Sequence, residues 1–477
     1  MVKNMNILFF SPKVCVIIQP CDVEFCDKYF ESFCFSIRKD FVSMKFIKEN
    51  LAVGFMLFAL FLGAGNIIFP PELGQNAGTE FIPSIIGFLI TGVGLPLIGI
   101  IAVAKNGGDL QVVANRIHPL FSIIFTAVIY LSIGPLFAIP RTGAVTYEIA
   151  IAPFLTEAAQ ASWIYLFITS VLFFSVVLYL SLNPTKLVDR IGKVLTPALL
   201  VVIALLAVKA FLTPMGEFGE PHGVYTTNAF SESFIQGYLT MDVLASLVFG
   251  IVIVQSLQAK GITDRAKQVK TTIFAGIIAA IGLAFVYISL EYIGATSIDS
   301  IGYIGDGGSI IAESARVLYG SFGNVILSVV IILACITTAV GLVSANATFF
   351  NKLFPKLSYK TLAVIFTLFS FIISNFGLSK LISITLPVLM FIYPIAIVLM
   401  FLVIFDQLFN RAPIVYSLAL IATALVSLYD GIKTAGFEIG WYENILSLLP
   451  LYDQSIGWLV PALVGMAIGW IIHLLNK

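Results

Sequence analysis

The chain has 477 residues, 59% of them hydrophobic and 11% charged, with a mean hydropathy of +1.02. A soluble domain carries roughly 25% charged residues, so a soluble fold is excluded and an all-α polytopic membrane protein is expected. Lysine plus arginine equals aspartate plus glutamate at 26 each, which leaves no basic excess to attract nucleic acid.

Residues 1–43 hold Cys15, Cys21, Cys26 and Cys34 at spacings that match no zinc pattern. They read as an N-terminal extension, disordered or upstream of the true start. Met44 opens a natural start, with Lys45 and Lys48 directly before the first apolar run. Residues 44–477 are expected to form a single transmembrane domain.

That first run, LAVGFMLFALFLGAGNIIFPPELG at 51–74, is interrupted by Gly63-Ala64-Gly65-Asn66 and reads as ending at Pro70-Pro71. At ~1.5 Å per residue the interruption falls ~18 to 22 Å into a hydrocarbon layer about 30 Å thick. Non-helical backbone at that depth is tolerated only where it lines a cavity or a ligand site. The break therefore predicts a binding site near mid-membrane.

Apolar runs follow at 81–103, 120–140, 162–182, 194–212, 237–258, 271–291, 322–345, 361–377, 382–405, 413–430 and 456–475, which makes twelve spans with both termini on one side. Alternate connections carry Lys105 and Arg116; Lys186, Arg190 and Lys193; Lys260, Arg265, Lys267 and Lys270; Lys352, Lys356 and Lys360; and Arg411. By the positive-inside rule these loops, and both termini, are cytoplasmic. Two local patterns carry little. The glycine-rich stretch 302–308 follows a membrane helix rather than a strand and predicts a turn, not a nucleotide loop. Gly465 and Gly469 form a GxxxG pair suited first to helix packing within the chain.

His118, His222 and His473 are too scattered for a metal site or a triad, so no enzyme is expected. The spans hold a thin set of polar groups. Asn66 sits beside two glycines in the first span. Asp242 lies a turn or two below the outer surface of the sixth, where an ionisable group is functional by default. Thr337 and Thr338 of the eighth span fall, by depth, at the level of Ala59 to Leu62. Hydroxyls with unwound carbonyls suit a hard cation such as Na⁺, whereas back-bonding to their own helix is the structural alternative.

The run GFMLFALFLGAGNIIFPPELG at 54–74 resembles the opening helix of the bacterial branched-chain amino acid:cation symporters, the LIVCS or BrnQ-type carriers. The likeness continues through IGPLFAIPRTGAVTYEIA at 133–150, GYLTMDVLASLVFGIVIV at 237–254 and ITTAVGLVSA at 336–345. It implies a LeuT-type architecture, a 5+5 inverted repeat plus two extra helices, with the first and sixth spans broken. It implies substrate binding by Phe61, Leu62, Gly65, Asn66, Ser246, Phe249 and Gly250, with Asp242 nearby, and an inner sodium site of Ala59 and Leu62 carbonyls with Thr337 and Thr338 hydroxyls. Phe58, Phe61 and Phe249 would supply an apolar wall. The function implied is import of Leu, Ile and Val coupled to Na⁺, or H⁺ in its place, across the cytoplasmic membrane. No cofactor is expected beyond the coupling ion. A channel, an amino-acid sensor, or a carrier of another small neutral solute are the competing readings.

Overall fold

The computed structural model describes residues 44–160, 162–183 and 196–476. The extension 1–43 and the loop cations Lys186, Arg190 and Lys193 lie outside the described residues. The chain divides into Met1–Asn50 and Leu51–Lys477, and the contacts and cavity described below lie in the second unit. All regular structure among the described residues is helical, as it must be where backbone groups cannot bond to lipid.

Among the described residues, eight helical runs are long and apolar enough to cross a membrane, beside shorter apolar helices at Leu51–Phe61, Leu200–Leu212, Tyr359–Ser374 and Leu459–Leu475. In chain order the helices used below are α1 (Met44–Phe61), α2 (Ala64–Ala77), α3 (Phe81–Leu89), α4 (Leu95–Lys105), α5 (Pro119–Leu131) and α6 (Ala138–Val145). Then come α7 (Trp163–Ser181), α8 (Thr196–Leu212), α9 (Tyr225–Gln236), α10 (Asp242–Ala259), α11 (Arg265–Ala295) and α12 (Gly307–Tyr319). The chain closes with α13 (Ser321–Leu353), α14 (Tyr359–Ser374), α15 (Leu378–Ile404), α16 (Pro413–Thr434) and α17 (Leu459–Leu475).

Three boundaries differ from the sequence reading. The interruption in the first run is Leu62–Gly63, and Ala64, Gly65 and Asn66 already form the first turn of α2. Pro70 and Pro71 do not end that helix, which runs on to Ala77 and turns at Gly78 (φ 49°). The third run extends past residue 140 to Phe154 through two π-helical segments. Most of the run Tyr225–Ala259 is buried, 94% of its apolar window against 28% for Trp163–Ser181. The first therefore stands at the centre of the bundle, and α7 presents most of its surface outward. Gly465 and Gly469 of α17 bring their backbone against Leu418 and Val415 of α16, so the GxxxG pair is used inside the chain. The glycine-rich loop is a turn pinned by Gln75, which donates to Gly302 O (3.0 Å) and accepts from Ile304 N (3.0 Å).

Candidate substrate and cation site

The first break separates α1 from α2. The last carbonyls of a helix have no partner within it, and those of α1 meet α13. Thr337 Oγ1 lies 3.0 Å from Ala59 O and 2.9 Å from Ala334 O of its own helix. Thr338 Oγ1 lies 3.1 Å from Leu60 O and 3.2 Å from Leu62 O. A hydroxyl has one hydrogen to donate, so this cluster holds more acceptor oxygens than donors. On the other side of the break, Asn66 Oδ1 accepts from Gly63 N–H at 3.1 Å and steadies the start of α2.

The second break is at Met241, between a 3₁₀ turn (Gly237–Thr240) that ends α9 and the start of α10. Met241 is left-handed (φ 64°, ψ 12°), a conformation that costs a non-glycine residue of order 1–3 kcal/mol. Arg141 of α6 caps the carbonyl end: Nη1 donates to Leu239 O at 2.6 Å, and Nη2 is 3.5 Å from Thr240 O. Its guanidinium also lies over the Phe69 ring, 5.6 Å from the centroid. Arg141 is 5% exposed, and its Nε has no hydrogen-bond partner.

Asp242, the first residue of α10, is 1% exposed. It is thus a core residue rather than an interfacial one. Its Oδ2 accepts from Asn66 Nδ2 (2.6 Å) and from the Tyr287 hydroxyl of α11 (2.7 Å), and Asn66 Nδ2 also reaches that hydroxyl. The two breaks are thereby tied side by side. The carboxyl group sits at the positive end of α10.

Between the breaks lies a cavity with about 20 Å³ of room for water centres, enough for one or two waters and too small for an amino acid unless the helices part. Phe61, Gly65, Asn66, Arg141, Asp242, Phe249 and Thr338 are among its walls. The Phe61 and Phe249 rings meet edge to face at 5.5 Å. A methyl group at Gly65 would come within 2.8 Å of Arg141 Nη2, so glycine there lets the guanidinium approach α2.

The residues expected from the sequence separate into two sets. Phe61, Gly65, Asn66, Asp242 and Phe249 line this cavity; Ser246 and Gly250 do not. Ser246 Oγ donates to Val243 O of its own helix (2.6 Å) and faces Gly99 of α4, while Gly250 packs on Val103 and Gly108. Both are ~100° round α10 from Ala245 and Phe249. Phe58 packs against Gly282 of α11 and is outside the cavity wall. Ala59, Leu62, Thr337 and Thr338 are brought together as described. Two residues escaped the sequence reading. Arg141 carried a signal, a lone arginine in an apolar run, but the third span was closed one residue before it. Tyr287 carried none. Among the described residues no group of three or more His, Cys, Asp or Glu side chains is placed to hold a metal.

Two helices broken side by side around a small cavity define the discontinuous-helix class of transporter folds. Solved structures share that fold. Mhp1, a nucleobase-cation-symport-1 family transporter, superposes with a TM-score of 0.57 at 14% identity over 88% of this chain and 91% of its own. MhsT in complex with L-phenylalanine does so at 0.53 and 16% over 89% and 98%. The particular family follows from sequence: the model for branched-chain amino acid transport proteins matches residues 46–476, and the chain belongs to that family. It is 49% identical to the branched-chain amino acid permease BraB of Bacillus subtilis, over 90% of this chain and 96% of the relative. It is 45% identical to the branched-chain amino acid transport system 2 carrier protein of Pseudomonas aeruginosa, over 88% and 95%. The family is one of membrane transporters, not enzymes.

Proposed function

We propose that this protein is a secondary active symporter that imports Leu, Ile and Val across the bacterial cytoplasmic membrane with Na⁺, or with H⁺ in its place, by alternating access. The observation that carries the reading is that an acidic and a basic side chain line one small cavity: Asp242, and Arg141 with a buried Nε–H that has no partner. A buried donor of that kind calls for an acceptor. A zwitterion supplies both halves, its carboxylate toward Arg141 and the first-turn N–H groups of α2, its ammonium toward Asp242. Phe61 and Phe249 receive the aliphatic side chain. Discrimination among Leu, Ile and Val by a methyl or methylene is worth only ~1–3 kcal/mol, so the three are accepted together.

The coupling ion binds where α1 carbonyls outnumber the donors, among Ala59, Leu62, Thr337 and Thr338. It joins α1 to α13, and its loss toward the cytoplasm releases α1. The ion's preference for one arrangement over the other drives the cycle. The topology of this reading has twelve spans, a 5+5 inverted repeat plus two helices, and cytoplasmic termini. Supporting the count, Ala64–Lys105 is 42 residues, about 63 Å of helix or two crossings, and its first half continues α1. Labelled leucine uptake into proteoliposomes under imposed sodium and proton gradients tests the proposal. Accumulation driven by at least one gradient is expected; equilibration without accumulation under both would overturn symport.

A further inference from the structure

Glu291 stands apart from the site above. It lies on α11, four residues beyond Tyr287 and so one turn outward on the same face. It is 0% exposed, no charged group among the described residues pairs with its carboxyl, and the one hydroxyl within reach of it is that of Ser84 on α3. The hydroxyls nearest in that layer, Ser84 of α3 and Ser233 of α9, bond to each other at 2.7 Å. Above it α2 is sealed onto α11 by glycines: a Cβ at Gly74 would strike the Glu291 carbonyl, and one at Gly294 would strike Pro71 O. Of the elements packed on α11, α8 carries Lys209, α12 carries Arg316 paired with Glu313, and α4 carries Lys105 at its end, whereas the titratable groups on α2 and α9 are acidic or phenolic. Tyr225 and Glu232 lie on α9 and Glu72 on α2, with Tyr225 in the field of Glu72, Glu232 and Glu291 together. Tyr287 is committed to Asp242.

An ionised carboxylate with no countercharge and at most one neutral hydroxyl beside it is very costly in such a place, so burial of Glu291 favours the neutral acid. The helices that bury it, α2, α3 and α9, belong to the outer half in the symporter reading, on which this inference rests. We propose that Glu291 is a proton-binding site of the transport cycle, distinct from the cation position at Thr337 and Thr338. It is a carboxylate when the outer half is open to water and a carboxylic acid when that half closes. The proton comes from the external water and returns there on reopening. Closure over the substrate therefore takes up one proton.

The test is calorimetric titration of leucine into the purified full-length protein, at several pH values and in buffers of different ionisation enthalpy, with wild type and Glu291→Gln compared. Wild type should take up about one more proton per leucine bound than E291Q. Its affinity should weaken with rising pH, by up to about tenfold per unit where one proton is linked, while the glutamine variant loses that slope. Equal proton counts and equal slopes would overturn the proposal while leaving the leucine site standing. Wild type that binds no leucine at any pH would instead sink the transport reading, and this inference with it. A readout on wild type alone guards against a variant that does not fold. Leucine must add a protonated-carboxyl band to the infrared difference spectrum, and its absence contradicts the proposal.

Discussion

The two breaks solve one problem in different ways. Each leaves a helix ending in orphan carbonyls inside the membrane, and each borrows a side chain from another helix to cap them. At Leu62–Gly63 the caps are the neutral hydroxyls of Thr337 and Thr338, too few for the oxygens they face. At Met241 the cap is the charged guanidinium of Arg141, which still has Nε–H to give. The first end is left short of positive charge and suits a cation. The second is rich in donors and faces a carboxylate one residue along the chain, which suits a zwitterion. Asn66 and Tyr287 join them through Asp242.

Substitutions at the charged break should therefore cost most. Asp242→Asn or Arg141→Gln is expected to lower leucine uptake about 10- to 100-fold, from the ~1.5–3 kcal/mol carried by hydrogen bonds to a charged group. Wild-type rates in proteoliposomes would remove either residue from the site. Gly65→Ala pushes a methyl against Arg141 and should raise the KM for leucine about tenfold, a ~1–2 kcal/mol overpacking cost, with less change in sodium dependence. At the neutral break the losses are those of single hydroxyls, ~0.5–1.5 kcal/mol. Thr337→Ala or Thr338→Ala should shift the sodium concentration for half-activation about 2- to 10-fold upward and spare leucine affinity at saturating sodium. Unaltered sodium activation in both variants would dissolve the contrast. Ser246→Ala should change uptake less than about twofold, since its hydroxyl serves its own helix; a large loss would move the cavity wall round α10.

The neutral break was the more legible in the sequence. Glycines flanking Asn66 at mid-membrane depth signal unwound backbone, and the threonines share that depth by simple counting. The error there was one residue at the start of the gap and three at its end, because Asn66 caps the new helix instead of lying in the gap. The charged break was hidden. Its turn is made by Met241, a residue with no preference for the left-handed region, so the residues alone gave no break; the resemblance implied one, and the expected wall slid down to Ser246 and Gly250. Arg141 was visible as a letter but was placed beyond a span that in fact continues. Tyr287 meets Asn66 across 221 residues, and no local pattern encodes such a pairing.

In the symporter reading the cavity recognises both ends of an amino acid at once. Displacement of labelled leucine from the purified protein in saturating sodium tests it most directly, with isocaproate, which lacks the ammonium, and isoamylamine, which lacks the carboxylate, as competitors. Leucine, isoleucine and valine should displace the label, and both one-ended analogues should be at least about tenfold weaker, as expected when a buried charged partner is left unpaired. Displacement by either analogue as effectively as by leucine itself would contradict recognition through paired charges.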